Sequence, residues 1–446
     1  MTSWIAEHWR GIQRDPVRGF QMFAVVRQAT ALLISVIVVK NLDLDEVGVF
    51  EVWMFVGMVL ALLWLNGAFQ SFVTLFPSMK PVDQSRFIGT TYLNITVVTA
   101  ALAATFLFFK EFLTDRILQM GTIPFLDWAL LYLFLHLTAS YSSYILLVKK
   151  RHQAFLPYSL VYLFAQITVV VVPFVFGGGL REVIYGLVLF AILEQLYLIY
   201  LVTRYGTWSI SGRQWSQLSR LAVPLGLYAI LGSFPQVFDA WLINWWYNDL
   251  EVFAVFRYGA RELPGSLAMA SSFGTAMIVI LASDVVDGMN RLRTGVTRLM
   301  HLFFPLSSLL ILLSPLLFKW IYSEDFILSA FVFNTYLLLM LSRWLFPHTL
   351  ILAKKDSRIL VLVSSLEMLL NIGLSIFLIG YWGIIGVAAA TVIAYIFEKL
   401  ALVVITKVRY GLGLFEFVPP EIYLKYCMVL ISAFIISVLL FNIPSG

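Results

Sequence analysis

The sequence predicts an all-α polytopic membrane protein: two six-helix bundles in parallel pseudo-two-fold repeat around a central cavity, plus one C-terminal helix. Three observations predict it. Charges are too few for a surface in water. Apolar runs of membrane-spanning length recur along the chain. Cations crowd into every second connection between those runs.

Of the 446 residues, 61% are hydrophobic and 12% charged, whereas a soluble domain carries about 25% charged residues. Lipid must therefore solvate much of the chain. The net charge of +5 sets orientation in a membrane protein. No basic stripe with interleaved aromatics stands outside the apolar runs, so no nucleic-acid partner is predicted. A single cysteine, Cys427, excludes a disulfide framework and a thiolate cluster, and the five histidines share no metal-ligand spacing. Phosphate-loop, G-x-S-x-G, H-E-x-x-H and paired-carboxylate patterns are missing from the connections. The chain thus reads as a non-enzyme without a cofactor, driven by an H+ or Na+ gradient if it is driven at all. The polar first 18 residues lead into an apolar stretch with no small-residue cleavage site, which reads as a retained first span.

A hydrocarbon core of about 30 Å needs about 20 apolar helical residues. Such runs lie near residues 16–40, 46–76, 86–109, 125–148, 156–177 and 182–203. A second set lies near 218–245, 250–283, 295–319, 327–352, 358–380 and 384–406, and a thirteenth near 421–442. The strict alternation of a barrel strand is not seen. With the N-terminus in the cytoplasm, the inner segments carry Arg10, Arg14, Arg18, Lys80, Arg86, Lys149, Lys150, Arg151, Arg204, Arg213 and Arg220. Further along they carry Arg291, Arg293, Arg298, Lys354, Lys355, Arg358, Lys407, Arg409 and Lys425. The outer segments hold only Lys40, Lys110, Arg116, Arg181 and Lys319. This is the positive-inside pattern of a multi-pass protein of the cell (inner) membrane.

The chain repeats itself. Leu44–Phe50 aligns on Leu250–Phe256 at an offset of 206, and Gly179–Leu196 aligns on Gly383–Leu400 at an offset of 204. The repeat unit is six helices, giving an N-terminal lobe over 1–206, a C-terminal lobe over 207–410 and an additional helix within 411–446. An even number of helices makes the repeats parallel, the plan of transporters that bind between lobes and rock them.

The opening Leu44-Asp45-Glu46-Val47-Gly48-Val49-Phe50, its recurrence at Asp249–Phe256, and the run Gly383-Ile384-Ile385-Gly386-Val387-Ala388-Ala389-Ala390-Thr391 carry a resemblance. Over about residues 14–410 the chain resembles polysaccharide transporters of the O-antigen flippase type, within the multidrug/oligosaccharidyl-lipid/polysaccharide exporter superfamily. The thirteen spans depart from that family's usual 12 or 14. The resemblance implies transport of a lipid-linked oligosaccharide on an undecaprenyl-pyrophosphate carrier from the inner to the outer leaflet. It implies membrane lipids as partners and a polysaccharide polymerase in the same membrane.

Ionisable residues inside spans face a cavity or a partner. The cations are Arg27, Arg257, Arg261, Arg343 and Lys399. Arg257 and Arg261 stand four apart and are expected on one helix face. Guanidinium forks suit phosphate, so Arg27, Arg257, Arg261 and Arg343, with Gln28 and Gln70, form the expected pyrophosphate and sugar site. The residues leave open the alternative that Arg257 and Arg261 bind lipid head groups or nearby carboxylates at the rim. Among the acids, Asp239 follows Pro235 by four residues within a span, a kink at which an ion could bind. Asp239, Glu194 and Glu367 are the expected ion-coupling residues, with a salt bridge as the alternative for Asp239. Glu194 and Glu398 occupy equivalent repeat positions, which favours a symmetric structural role. Neutral groups such as Asn94, His136, Gln166, Asn334 and Asn371 suit sugar hydroxyls or interhelical bonds.

These readings predict a flippase for a lipid-linked oligosaccharide working by alternating access. The alternatives are a multidrug/cation antiporter, a lipid II flippase and, from another class, a membrane-embedded polysaccharide polymerase.

Overall fold

A computed structural model of the chain describes residues 16–118, 122–263, 265–354 and 356–441. Arg10, Arg14 and Lys355, counted above among the inner cations, lie outside them. Every regular element among the described residues is helical. A backbone in lipid has no water to bond, so each segment must satisfy its own N–H and C=O groups. Among the described residues ten helices are long and apolar enough to cross a membrane, or eleven if the bent pair Gly212–Leu227 and Gly232–Tyr247 is one span. The chain is a polytopic membrane protein.

The first six spans match the sequence reading to within a few residues. They are α1 (Pro16–Asn41), α2 (Leu44–Leu75), α3 (Pro81–Phe108), α4 (Leu126–Val148), α5 (His152–Val175) and α6 (Leu180–Tyr205). The start of α2 is written in its first residues. Asp43 is extended and accepts a 2.8 Å hydrogen bond from the Glu46 N–H, satisfying one of the orphan donors of the first turn. After α7 (Gly212–Tyr247), the same device opens α8 (Leu250–Gly259). There Asp249, 206 residues after Asp43, accepts from the Glu251 N–H at 2.8 Å. The sequence repeat is thus a repeat of helix caps.

The remaining helices are α9 (Ser266–Ser283), α10 (Val285–Ile321), α11 (Glu324–Arg343), α12 (Pro347–Ala353), α13 (Ser357–Tyr410) and α14 (Pro420–Phe441). Two expected spans are corrected. The eighth, read as one helix over 250–283, is interrupted after Gly259 and resumes at Ser266 behind Gly265, whose φ is +82°. The sequence there contains Pro264, and proline biases the residue before it away from helix. The tenth, read over 327–352, ends at Arg343, and Pro347 opens the separate α12.

Helix α13 has 54 residues. A straight helix of that length would reach about 80 Å, far beyond a core of about 30 Å. It is two spans. Gly383 has φ 56° and ψ −141°, a region that essentially only glycine enters. The arms fold back on each other in antiparallel register. Asn371 donates to Thr391 at 2.9 Å, Ser364 donates to Glu398 at 3.1 Å, and Ile359 and Val363 pack with Leu402. A Cβ on Gly386 would stand 2.3 Å from the Leu378 carbonyl oxygen, so the arms touch backbone to backbone near the turn. These arms are the expected eleventh and twelfth spans.

The described residues form two compact units. One runs up to Val237 and includes Asn248–Glu251; the other holds Phe238–Tyr247 and everything from Val252 onward. The core of the first is aromatic: Phe23 of α1, Phe69 and Phe72 of α2, Phe87 of α3, Tyr141 of α4, Phe155 and Tyr162 of α5 and Phe190 of α6. Within it α2 meets the start of α7 closely, since a Cβ on Gly67 would lie 2.2 Å from the Ala222 carbonyl oxygen. The second unit has one cluster joining α9, α10, α11 and α14 and another joining the end of α7, α8, α11 and α13. Here α14, the thirteenth expected span, is tied to α10 and α11. His301 and Tyr426 are 2.6 Å apart, and Asn334 donates to Ser437 at 3.1 Å.

Candidate functional site

In the second unit, polar side chains converge on Asp239. It lies in the last third of α7, fully buried. Its carboxylate accepts from Tyr336 of α11 at 3.1 Å, and from Ser375 at 3.4 Å and Thr391 at 2.5 Å on the two arms of α13. All three donors are neutral hydroxyls, and among the described residues Asp239 has no cationic partner. Asn371 extends the cluster by its bond to Thr391, while its own Oδ1 is buried without a partner. A carboxylate ringed by hydroxyl and amide oxygens can hold a proton or a small hard cation.

A charged group lies in the same unit. Arg343 is buried, with Nη2 2.8 Å from Glu262 Oε2. That oxygen nonetheless makes no aligned hydrogen bond, so the contact is ionic rather than directional. The Arg343 guanidinium and the Lys399 amine both lie against the Tyr395 ring, at 5.4 and 4.7 Å from its centroid. Lys399 pairs with Glu398 at 2.8 Å. Glu367 is also buried, and no hydrogen bond or ion pair reaches it from the described residues.

The first unit carries a second centre. Glu194 of α6 and His136 of α4 are 2.6 Å apart, with side chains 9% and 16% exposed. Tyr132 stacks on the imidazole at 5.2 Å, and Gln195 donates to the Leu135 carbonyl at 3.0 Å. Arg27 of α1 is exposed, and no hydrogen bond or ion pair reaches it from the described residues. Its nearest electrostatic neighbours are the ring hydroxyls of Tyr144, Tyr158 and Tyr162. It stands about 12 Å along the helix from Gly19, where the apolar span begins. Gln28, also on α1, and Gln70 on α2 are exposed as well.

The predicted site residues therefore fall into distinct environments. Arg27, Gln28 and Gln70 are accessible in the first unit. Arg343 is committed to Glu262 and Tyr395. The shared helical face expected for Arg257 and Arg261 is not formed: α8 ends at Gly259, so Arg261 lies past it, with its guanidinium 4.5 Å over Tyr258. Glu194 lies 2.6 Å from His136 and Glu398 is paired with Lys399, so the repeat keeps the acid and changes the partner. Of the three donors to Asp239, only Thr391, which closes the Gly383–Thr391 run, stands out in the sequence.

No family model and no curated protein matches the sequence. Solved structures do match. The lipid II flippase MurJ, in an inward closed conformation, aligns at a TM-score of 0.72 and 18% identity, over 95% of this chain and 93% of that one. The fold is that of the MOP-superfamily transporters. A multidrug resistance MATE family transporter of that superfamily, inward-facing, aligns at 0.65 and 13% identity, over 86% of this chain and 94% of its own. A MOP-superfamily transporter from Pyrococcus furiosus, described by a binding pocket of reverse polarity that suggests a different function, aligns at 0.58 and 13%, over 90% and 97%. The fold is thus shared over 86–95% of this chain, and these solved neighbours are transporters.

Proposed function

We propose that the chain is a flippase that moves a polyprenyl-pyrophosphate-linked oligosaccharide from the cytoplasmic to the outer leaflet. One observation carries this reading. Arg27 sits well inside a span, accessible, with no carboxylate among the described residues to neutralise it. An unpaired guanidinium in hydrocarbon is costly, and a phosphate group supplies the bidentate acceptor that it lacks. Gln28 and Gln70 offer hydrogen bonds to the attached sugar. One solved neighbour is itself a lipid II flippase. The set of neighbours includes inward- and outward-facing forms, which fits alternating access.

In this reading the N-terminus is cytoplasmic, and the excess of cations in every second connection supports it. Asp239 is the coupling site for H+ or Na+, and Glu194 with His136 and Glu367 are further candidates. Arg257 and Arg261 assist at the head group. The repeat halves, 1–206 and 207–410, are the moving parts, and a polymerase in the same membrane receives the product.

The test is surface polysaccharide in a host carrying Arg27→Gln or Arg261→Gln, with protein level measured in parallel. Arg27→Gln should abolish it, and Arg27→Lys, which keeps charge without the fork, should restore part. Full surface polysaccharide in both glutamine variants would remove the phosphate-binding role. A second reading, a cation antiporter, draws on Asp239 and Glu367, two buried acids that make no ion pair among the described residues. Drug efflux that is lost in Asp239→Asn but intact in Arg27→Gln would favour it.

A further inference from the structure

The ends of α5 and α6 carry a group that the transport reading does not use. Arg151 immediately precedes α5, and Arg204 lies in the last turn of α6. Their guanidinium carbons lie 5.3 and 5.6 Å from the centroid of one ring, that of Tyr205. Arg204 also donates to the Tyr200 hydroxyl and lies 5.7 Å from that ring. Neither arginine pairs with a carboxylate among the described residues. The reason is visible in the sequence: no acidic residue occurs between Asp127 and Glu182, or between Glu194 and Asp239. Two like charges are thus gathered on one tyrosine, and among the described residues no carboxylate balances them.

The surface beside them identifies the anion they would take. Leu189, Leu193 and Leu196 are 55%, 52% and 58% exposed. Spaced by four and three residues, they lie on one face of α6, and Tyr200 and Arg204 continue that face. From Leu189 to Arg204 is about 22 Å, the length of an acyl chain with its glycerol. Tyrosines at a span's end occupy the head-group level. Stacking on a ring leaves the edge of a guanidinium free to grip phosphate oxygens, and the start of α5 adds the positive end of its dipole.

The geometry points to a site for one anionic phospholipid, its phosphate between Arg151 and Arg204 and one acyl chain along the Leu189–Leu196 face. The site lies on the first unit alone and is independent of the substrate proposed above.

Native mass spectrometry of the purified full chain tests it, with phosphatidylglycerol and phosphatidylcholine of identical acyl chains, and inorganic phosphate as a third ligand. The wild type should retain phosphatidylglycerol about tenfold or more over phosphatidylcholine. Arg151→Gln/Arg204→Gln should reduce that ratio to within about twofold, and Arg291→Gln, which removes a surface arginine already paired with Asp287, should leave it unchanged. Arg151→Lys/Arg204→Lys should fall between, which separates head-group recognition from loss of fold. An unchanged preference in the double glutamine variant would overturn the proposal. So would equal retention of both lipids by the wild type. Saturation by inorganic phosphate that displaces phosphatidylglycerol would assign the arginines to a soluble anion instead.

Discussion

Glu262→Gln removes the countercharge of Arg343, and the two side chains differ in a way that fixes the size of the effect. Arg343 is 3% exposed and Glu262 is 21% exposed. Stranding one member of a buried pair costs about 3–5 kcal/mol, because the remaining charge is left uncompensated. In Glu262→Gln the stranded member is the inaccessible arginine. The loss should be about 3 kcal/mol, at the low end because the pair is not aligned as a hydrogen bond and Tyr395 still faces the guanidinium. In Arg343→Met the stranded member is a carboxylate that is one-fifth exposed and can be hydrated or protonated, so the loss should be nearer about 1 kcal/mol. The double variant strands neither and should be more stable than Glu262→Gln alone. Reversible unfolding in mixed micelles, arranged as a double-mutant cycle, measures all three. Strict additivity, or a larger loss for Arg343→Met than for Glu262→Gln, would refute the reasoning.

Other expectations follow from geometry. Gly383→Ala places a Cβ at φ 56°, ψ −141° and 3.1 Å from the Tyr247 hydroxyl; thermal unfolding should show a loss of about 1–3 kcal/mol. Gly67→Val drives a side chain into the Ala222 carbonyl, and backbone cannot yield as a side chain can. Size-exclusion profiles and melting temperature should show poor assembly and a loss above about 2 kcal/mol. Asp239→Asn keeps an acceptor among three hydroxyls that can each reverse their role. Its melting temperature should stay close to wild type while gradient-driven transport in proteoliposomes is lost; a folded variant with full gradient response would remove Asp239 from coupling.

Spans were legible because lipid leaves a chain few options: a run of about 20 apolar residues must become helix. The repeat of Leu44–Phe50 at Leu250–Phe256 was legible, but not the caps Asp43 and Asp249 that precede it. Breaks inside runs were harder. Residues 344–346 are apolar, so only Pro347 marks that interruption, whereas Arg261, Glu262, Pro264 and Gly265 crowd the other without saying where the helix stops. Side-chain partners were least legible. Asp239 could be singled out as a buried acid, but its donors lie 97, 136 and 152 residues away on three other helical segments. Arg343 and Arg27 look alike in sequence, each a lone cation in an apolar stretch. Packing gives one of them a glutamate and a tyrosine and leaves the other accessible.

The reversal at Gly383 bears on biogenesis. Between Glu367 and Glu398 no residue is charged, and the turn offers no polar loop that could wait outside the bilayer while the second arm is synthesised. The two arms must therefore leave the insertion machinery together, as a preformed hairpin whose tip is anchored by the exposed Tyr381 and Trp382. A tag or glycosylation sequence placed at this tip would have to pry apart helices already in contact, and so would block insertion rather than report on topology.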